Sequence, residues 1–147
     1  MEEIKNINSE KEKKPEFIVL GIVLNKNGEV MIVKRKKKEI TLTGKELVWV
    51  FPGGKQEKGE TREERVVKEI LDETGYKVKT IKQINLRVHP DVFKMVAYFL
   101  CQLEEEPVCE ILEKEEIEEV KWVKPEELKQ YFTTDIDLEV KKILGIK

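Results

Sequence analysis

Gly54–Tyr76 reads GKQEKGETREERVVKEILDETGY. The stretch opens as a glycine-rich loop, with Pro52-Gly53-Gly54 at its start and Gly59-Glu60 at its end, and continues as a helix. Thr61 and Glu64 have the capping-box spacing, in which each side chain satisfies a free backbone N–H at a helix start. Gly75 stands where a left-handed residue closes a helix. Between them Val66, Val67, Ile70 and Leu71 fall on one arc at about 100° per residue. Arg65, Lys68, Glu69, Asp72 and Glu73 fall on the opposite arc. One face therefore packs on a core, and the other points at something polar.

Carboxylates at i, i+3 and i+4 lie side by side on a helix, so Glu69, Asp72 and Glu73 repel one another. A hard divalent cation, which prefers oxygen ligands, relieves that strain. Arg65–Glu69 and Lys68–Asp72 are also i,i+4 pairs, and a salt-bridged solvent face has the same pattern. The loop ahead of the helix tips the balance: it adds Glu60 and glycines that let main chain approach a ligand closely. The segment suggests a metal site, and with it phosphate chemistry.

These residues resemble the Nudix box: Gly, five residues, Glu, seven residues, Arg-Glu, an apolar residue, any residue, Glu-Glu, any residue, Gly, an apolar residue. Gly54, Glu60, Glu69, Ile70, Glu73, Gly75 and Tyr76 match it, and Trp49-Val50-Phe51-Pro52-Gly53-Gly54 resembles the usual lead-in. Two positions depart: Lys68 stands for the arginine and Asp72 for the first carboxylate of the glutamate pair. Small residues are common where Arg65 stands. In the family the arginine typically orients the glutamates; lysine keeps the charge but loses the planar two-pronged hydrogen bonding.

The resemblance implies an α/β fold, a Nudix-type α/β/α sandwich with a central mixed β-sheet. It implies hydrolysis of a nucleoside diphosphate linked to another group, with Mg²⁺ (or Mn²⁺) as cofactor. Glu69 and Glu73 would hold the metal, helped by Asp72 and the Gly54 carbonyl. Lys68 would be an orienting partner, and Glu60 would support the site. The general base is Glu69 or a carboxylate of Glu113–Glu119, EKEEIEE, where some relatives carry a catalytic glutamate; a solvated acidic loop has the same composition. Arg35 is a candidate for substrate phosphates, and Trp49 and Tyr98 for stacking on a nucleobase. A MutT-like nucleoside triphosphate diphosphohydrolase is the first expectation. An ADP-ribose, ADP-sugar or dinucleoside polyphosphate hydrolase comes second. A non-catalytic nucleotide-binding module is the rival from another class.

Length and composition fit one domain at 16–147 behind a loose polar arm at 1–15. A chain of 147 residues buries roughly two-thirds of its unfolded surface. Net charge is −2, from 28 basic and 30 acidic residues, which argues against bulk binding of a nucleic-acid polymer. Cys101 and Cys109 are the only cysteines and have no metal-type spacing. The apolar runs are far too short to cross a bilayer. The expected setting is a reduced cytoplasm, with a small nucleotide as partner, no membrane, and a homodimer as an open option.

The rest of the chain reads as mixed strands and helices. Phe17–Leu24 is a strand, Asn27-Gly28 signals a two-residue hairpin, and Val30–Val33 returns. Lys36–Gly44 reads as a loop, Leu47–Phe51 as a strand and Val78–Val88 as extended chain. His89-Pro90-Asp91 marks a turn. Phe93–Leu103, apolar on both faces, should be a central strand. Glu104–Glu119 reads as irregular and Val120–Val123 as a short strand; helices follow from Pro125 and over Asp135–Leu144.

Overall fold

A computed structural model describes residues 17–104 and 107–147; the arm expected at 1–15 lies outside them. Seven strands form one mixed sheet: β1 (Phe17–Leu24), β2 (Val30–Ile40), β3 (Glu46–Val50), β4 (Gly53–Lys55), β5 (Val78–Val88), β6 (Met95–Leu103) and β7 (Ile117–Val123). The main path runs β3-β2-β1-β6-β5, with β4 on β1 and β7 on β2. β1 and β6 are parallel along the whole of β1, and the other pairings are antiparallel. Helix α1 (Arg62–Thr74) follows β4; a 3₁₀ turn at Pro125–Glu127 leads into the short α2 (Leu128–Tyr131), and α3 (Leu138–Leu144) ends the fold.

The strand alternation sorts the core into two layers. Val19 and Val23 of β1, Met31 of β2 and Ala97, Phe99 and Cys101 of β6 pack with Val66 and Ile70 of α1. Their neighbours Ile22, Val30, Ile32, Val96 and Tyr98 point the other way, onto Leu128 and Val140 of α2 and α3. Helices thus cover both faces, as the α/β/α expectation required. β6 lies between β1 and β5, and four consecutive residues, Val96–Phe99, are buried, which explains its unbroken apolar run.

One feature of the pairing makes room for a site. β1 and β2 touch only at Leu24↔Val30 and then diverge. β4 fills the β1 side of the gap, from Ile18↔Lys55 to Leu20↔Gly53, and β3 fills the β2 side. The chain crosses between them at Phe51-Pro52, where the Pro52 carbonyl accepts a hydrogen bond from Gly21 N at 2.8 Å. The glycine loop therefore sits in the crotch of the sheet.

Several expected boundaries move. β2 runs to Ile40, through most of the expected 36–44 loop, because beyond a register shift β3 pairs with Glu39 and Ile40, and the lysines point outward. The β1–β2 link is five residues long: the Asn25 side-chain oxygen accepts from Asn27 N and Glu29 N and widens the turn. β7 starts at Ile117, inside the acidic stretch, because that residue is buried opposite Arg35. The last helix begins at Leu138, since Asp137 caps it by accepting from Glu139 N and Val140 N.

Candidate active site

Helix α1 is built as its sequence reads. Thr61 and Glu64 form the reciprocal capping box, and Gly75 ends the helix at φ 78°. Val66 and Ile70 are sealed against the sheet, which turns the acidic arc toward the glycine loop. Contact there is close. A methyl group on Gly54 would lie 2.8 Å from Glu69 Oε2, and one on Gly53 would overlap the Val19 carbonyl. Gly53 N donates to Glu73 Oε1 at 2.7 Å.

The third side of the site comes from the loop before β7. Leu112 N and Glu113 N donate to the Asp72 carbonyl at 2.9 and 3.1 Å, docking this loop on the last turn of α1. Glu69, Asp72 and Glu113 each then offer a carboxylate oxygen within 4.8 Å of the others. Glu113 Oε2 is buried and has no hydrogen-bond partner among the described residues. Three converging carboxylates and one orphaned oxygen are an unstable arrangement alone, and they fit a hard divalent cation.

Electrostatics agree. Burial, above all, raises the Glu69 carboxyl from its ordinary pKa; Arg65 opposes this and Asp72 and Glu116 add to it. Burial pushes Glu73 up to about 9, against the lowering effect of its bond from Gly53. Burial and a hydrogen bond with Glu116 push Glu113 to about 7, with Glu69 and Asp72 adding repulsion. Each group is held toward its protonated form, a condition that positive charge would reverse.

A cavity of about 860 Å³ opens beside the cluster. Its walls include Gly53, Gly54, Glu69, Glu73, Glu113 and Glu116, together with Arg35, Trp49, Tyr98 and Phe132. Of the residues expected from sequence, Glu69 and Asp72 come together. Glu73 lines the cavity but is turned to the glycine loop. Glu60 lies 3.4 Å from Arg65 Nε and outside the cavity wall. Lys68 is exposed, also outside the wall, and forms no ion pair among the described residues. Arg35 reaches the wall while paired to Glu39 at 3.0 Å. Trp49 stands edge-on to Tyr131, with centroids 5.4 Å apart, and Tyr98 Oη accepts from Arg87 Nε at 3.2 Å. The expected turn at His89 forms, and His89 itself is buried, with Nδ1 accepting from Asp91 N.

The architecture is thus a mixed sheet sandwiched by helices, with a glycine loop and an acidic helix set in its crotch. A family model described as NUDIX domain matches residues 14–142, and the chain belongs to that family. An 8-oxo-dGTP diphosphatase of Proteus vulgaris is 32% identical over 91 residues, covering 60% of this chain and 78% of that protein. One of Escherichia coli (strain K12) is 41% identical over 58 residues, covering 40% of this chain and 42% of the relative. Against three other curated relatives the chain spans less than half of their length, from 22% to 41%. The crystal structure of a MutT NUDIX hydrolase from Burkholderia pseudomallei matches with a TM-score of 0.64 at 19% identity, over 90% of this chain and 98% of that one, and shows the shared fold.

Proposed function

We propose that this chain is a metal-dependent pyrophosphohydrolase of small nucleotides, and within that class a MutT-like nucleoside triphosphate diphosphohydrolase. The observation that carries it is the Glu69–Asp72–Glu113 cluster, with the orphaned Glu113 Oε2, beside a cavity walled by aromatic and basic side chains. The names of the Proteus and Escherichia relatives support the triphosphate reading over ADP-ribose.

Glu69, Asp72 and Glu113 would hold Mg²⁺ or Mn²⁺, with Glu73 and the Gly54 backbone bracing them. A bound cation of this kind offsets the charge of the diphosphate and lowers the pKa of a coordinated water. Arg35, on the cavity wall, takes charge on the substrate phosphates. Trp49 and Phe132 supply flat apolar surface for a base, whereas Tyr98, expected from sequence to stack, is only 2% exposed and packs in the core. Water adds to one phosphorus, the bridging P–O bond breaks, and the proton passes to a carboxylate. Glu116, on the cavity wall beside the cluster, is our candidate to accept it.

Hydrolysis of a panel of nucleoside triphosphates, ADP-ribose and dinucleoside polyphosphates, with and without Mg²⁺, tests this. Triphosphate turnover that stops with EDTA is expected. Tight binding without turnover on any member would instead support a nucleotide-binding module. Among the described residues no helix is long and apolar enough to cross a membrane.

A further inference from the structure

We propose that Arg65 is the positioning residue of this site, taking over one helical turn earlier the task that the box arginine would have at Lys68. The proposal rests on the reading of the site as a cation-binding hydrolase centre.

The geometry separates the two side chains. Arg65 precedes Glu69 by four residues, so both lie on one stripe of α1, whereas Lys68 is its immediate neighbour and projects about 100° away. Arg65 is 12% exposed, and its Nη2 sits 2.6 Å from Glu69 Oε1. Its Nε donates to the Lys55 carbonyl at 2.7 Å. Glu60 and Glu57 of the same loop stand 3.4 and 3.6 Å from the guanidinium. One planar group therefore ties three things together: a cluster carboxylate, the main chain next to Gly54, and the acidic tip of the glycine loop. Lysine has one charged atom and cannot span them.

The consequence is specific. Arg65 grips Oε1 of Glu69, while Oε2 lies against Gly54. The carboxylate is thus held from both sides, in a fixed plane. Lys68, by contrast, is exposed and forms no ion pair among the described residues. The departure at Lys68 is then not a loss of the orienting arginine. The function has moved to position 65, and the loop and the cation ligand are coupled through it.

The test uses the full chain with Mn²⁺, reading free Mn²⁺ by EPR, and separately measures kcat, KM and melting temperature. Arg65→Ala is expected to weaken Mn²⁺ binding and lower kcat by about tenfold or more, the range for a group that orients a ligand, with a smaller change in KM. Lys68→Ala is expected to cost less than Arg65→Ala on both readouts. Arg65→Lys, which keeps the charge but not the fork, should recover less than half of the loss on a logarithmic scale. If Arg65→Ala does not fold, Arg65→Lys is decisive: weaker Mn²⁺ binding at an unchanged melting temperature supports the proposal. Wild-type Mn²⁺ affinity in Arg65→Lys overturns it, as does a larger cost at Lys68. Failure of the underlying reading looks different, because the unmodified chain would then neither bind Mn²⁺ nor turn over nucleotide.

Discussion

Gly54→Ala is the sharpest perturbation of the site, because its cost follows from one distance. The added methyl would lie 2.8 Å from Glu69 Oε2, 2.9 Å from Cδ and 3.2 Å from Cγ. Carbon–heavy-atom contacts settle near 3.5 Å, so the carboxylate must retreat by about 0.7 Å. Retreat is opposed by Arg65, bonded to the other oxygen at 2.6 Å. Ligand sets work within about 0.5 Å, and a 1 Å error costs about 10²-fold in rate. A fall in kcat of about 10- to 100-fold is therefore expected, with a parallel loss of Mn²⁺ affinity. The backbone has no objection, since Gly54 is not among the positive-φ glycines. An off-rotamer Glu69 costs about 1 kcal/mol, or roughly 2–4 °C in melting temperature. Gly53→Ala is the contrast, because its methyl meets the Val19 carbonyl, which is main chain, and the whole fold should suffer. Steady-state hydrolysis in Mg²⁺ and a melting curve suffice. Wild-type turnover and Mn²⁺ binding in a folded Gly54→Ala would refute the close Glu69–Gly54 packing on which the site is built.

Three further outcomes follow. Glu113→Gln keeps the shape but removes a cluster charge, so metal-supported turnover should drop by about 10- to 100-fold with the fold intact; unchanged turnover would return the acidic stretch to solvent. In EDTA the protein should lose stability as pH rises from about 5 to 8. The buried Glu73, raised to about 9, keeps its proton when folded and loses it when unfolded above about 4.5, so unfolding releases a proton over that window. The slope is up to about 1.4 kcal/mol per pH unit for this group, Glu73→Gln should flatten it, and a flat wild-type profile would show that Glu73 is ionised when buried. Ile70→Ala empties a fully buried position between α1 and the sheet and should cost about 2–5 kcal/mol by denaturant unfolding; a loss under 1 kcal/mol would mean that α1 packs elsewhere.

The helix was legible because local rules decide it, but the sequence put Glu69 and Glu73 ahead of Asp72 as ligands, whereas the geometry groups Glu69 with Asp72 and turns Glu73 to the glycine loop. Capping box, apolar arc and terminal glycine all act within one segment. Glu113 was not singled out, for a tertiary reason. Glu113, Glu115, Glu116, Glu118 and Glu119 look alike in sequence, and only the two bonds from Leu112 and Glu113 to the Asp72 carbonyl bring one of them to the cluster. The extent of β2 was hidden in the same way: a lysine run has no strand preference of its own, and pairing of Glu39 and Ile40 with β3 imposes it. Arg65 was visible as an i,i+4 partner of Glu69, but its grip on the Lys55 carbonyl depends on where β4 leaves the sheet.

The central claim is that one divalent cation is held where α1, the glycine loop and the loop before β7 meet. Anomalous diffraction from crystals soaked in Mn²⁺ with a non-hydrolysable nucleotide tests it most directly. A peak about 2.0–2.6 Å from carboxylate oxygens of Glu69, Asp72 and Glu113 is the predicted result. An empty map there, at full nucleotide occupancy, would contradict it.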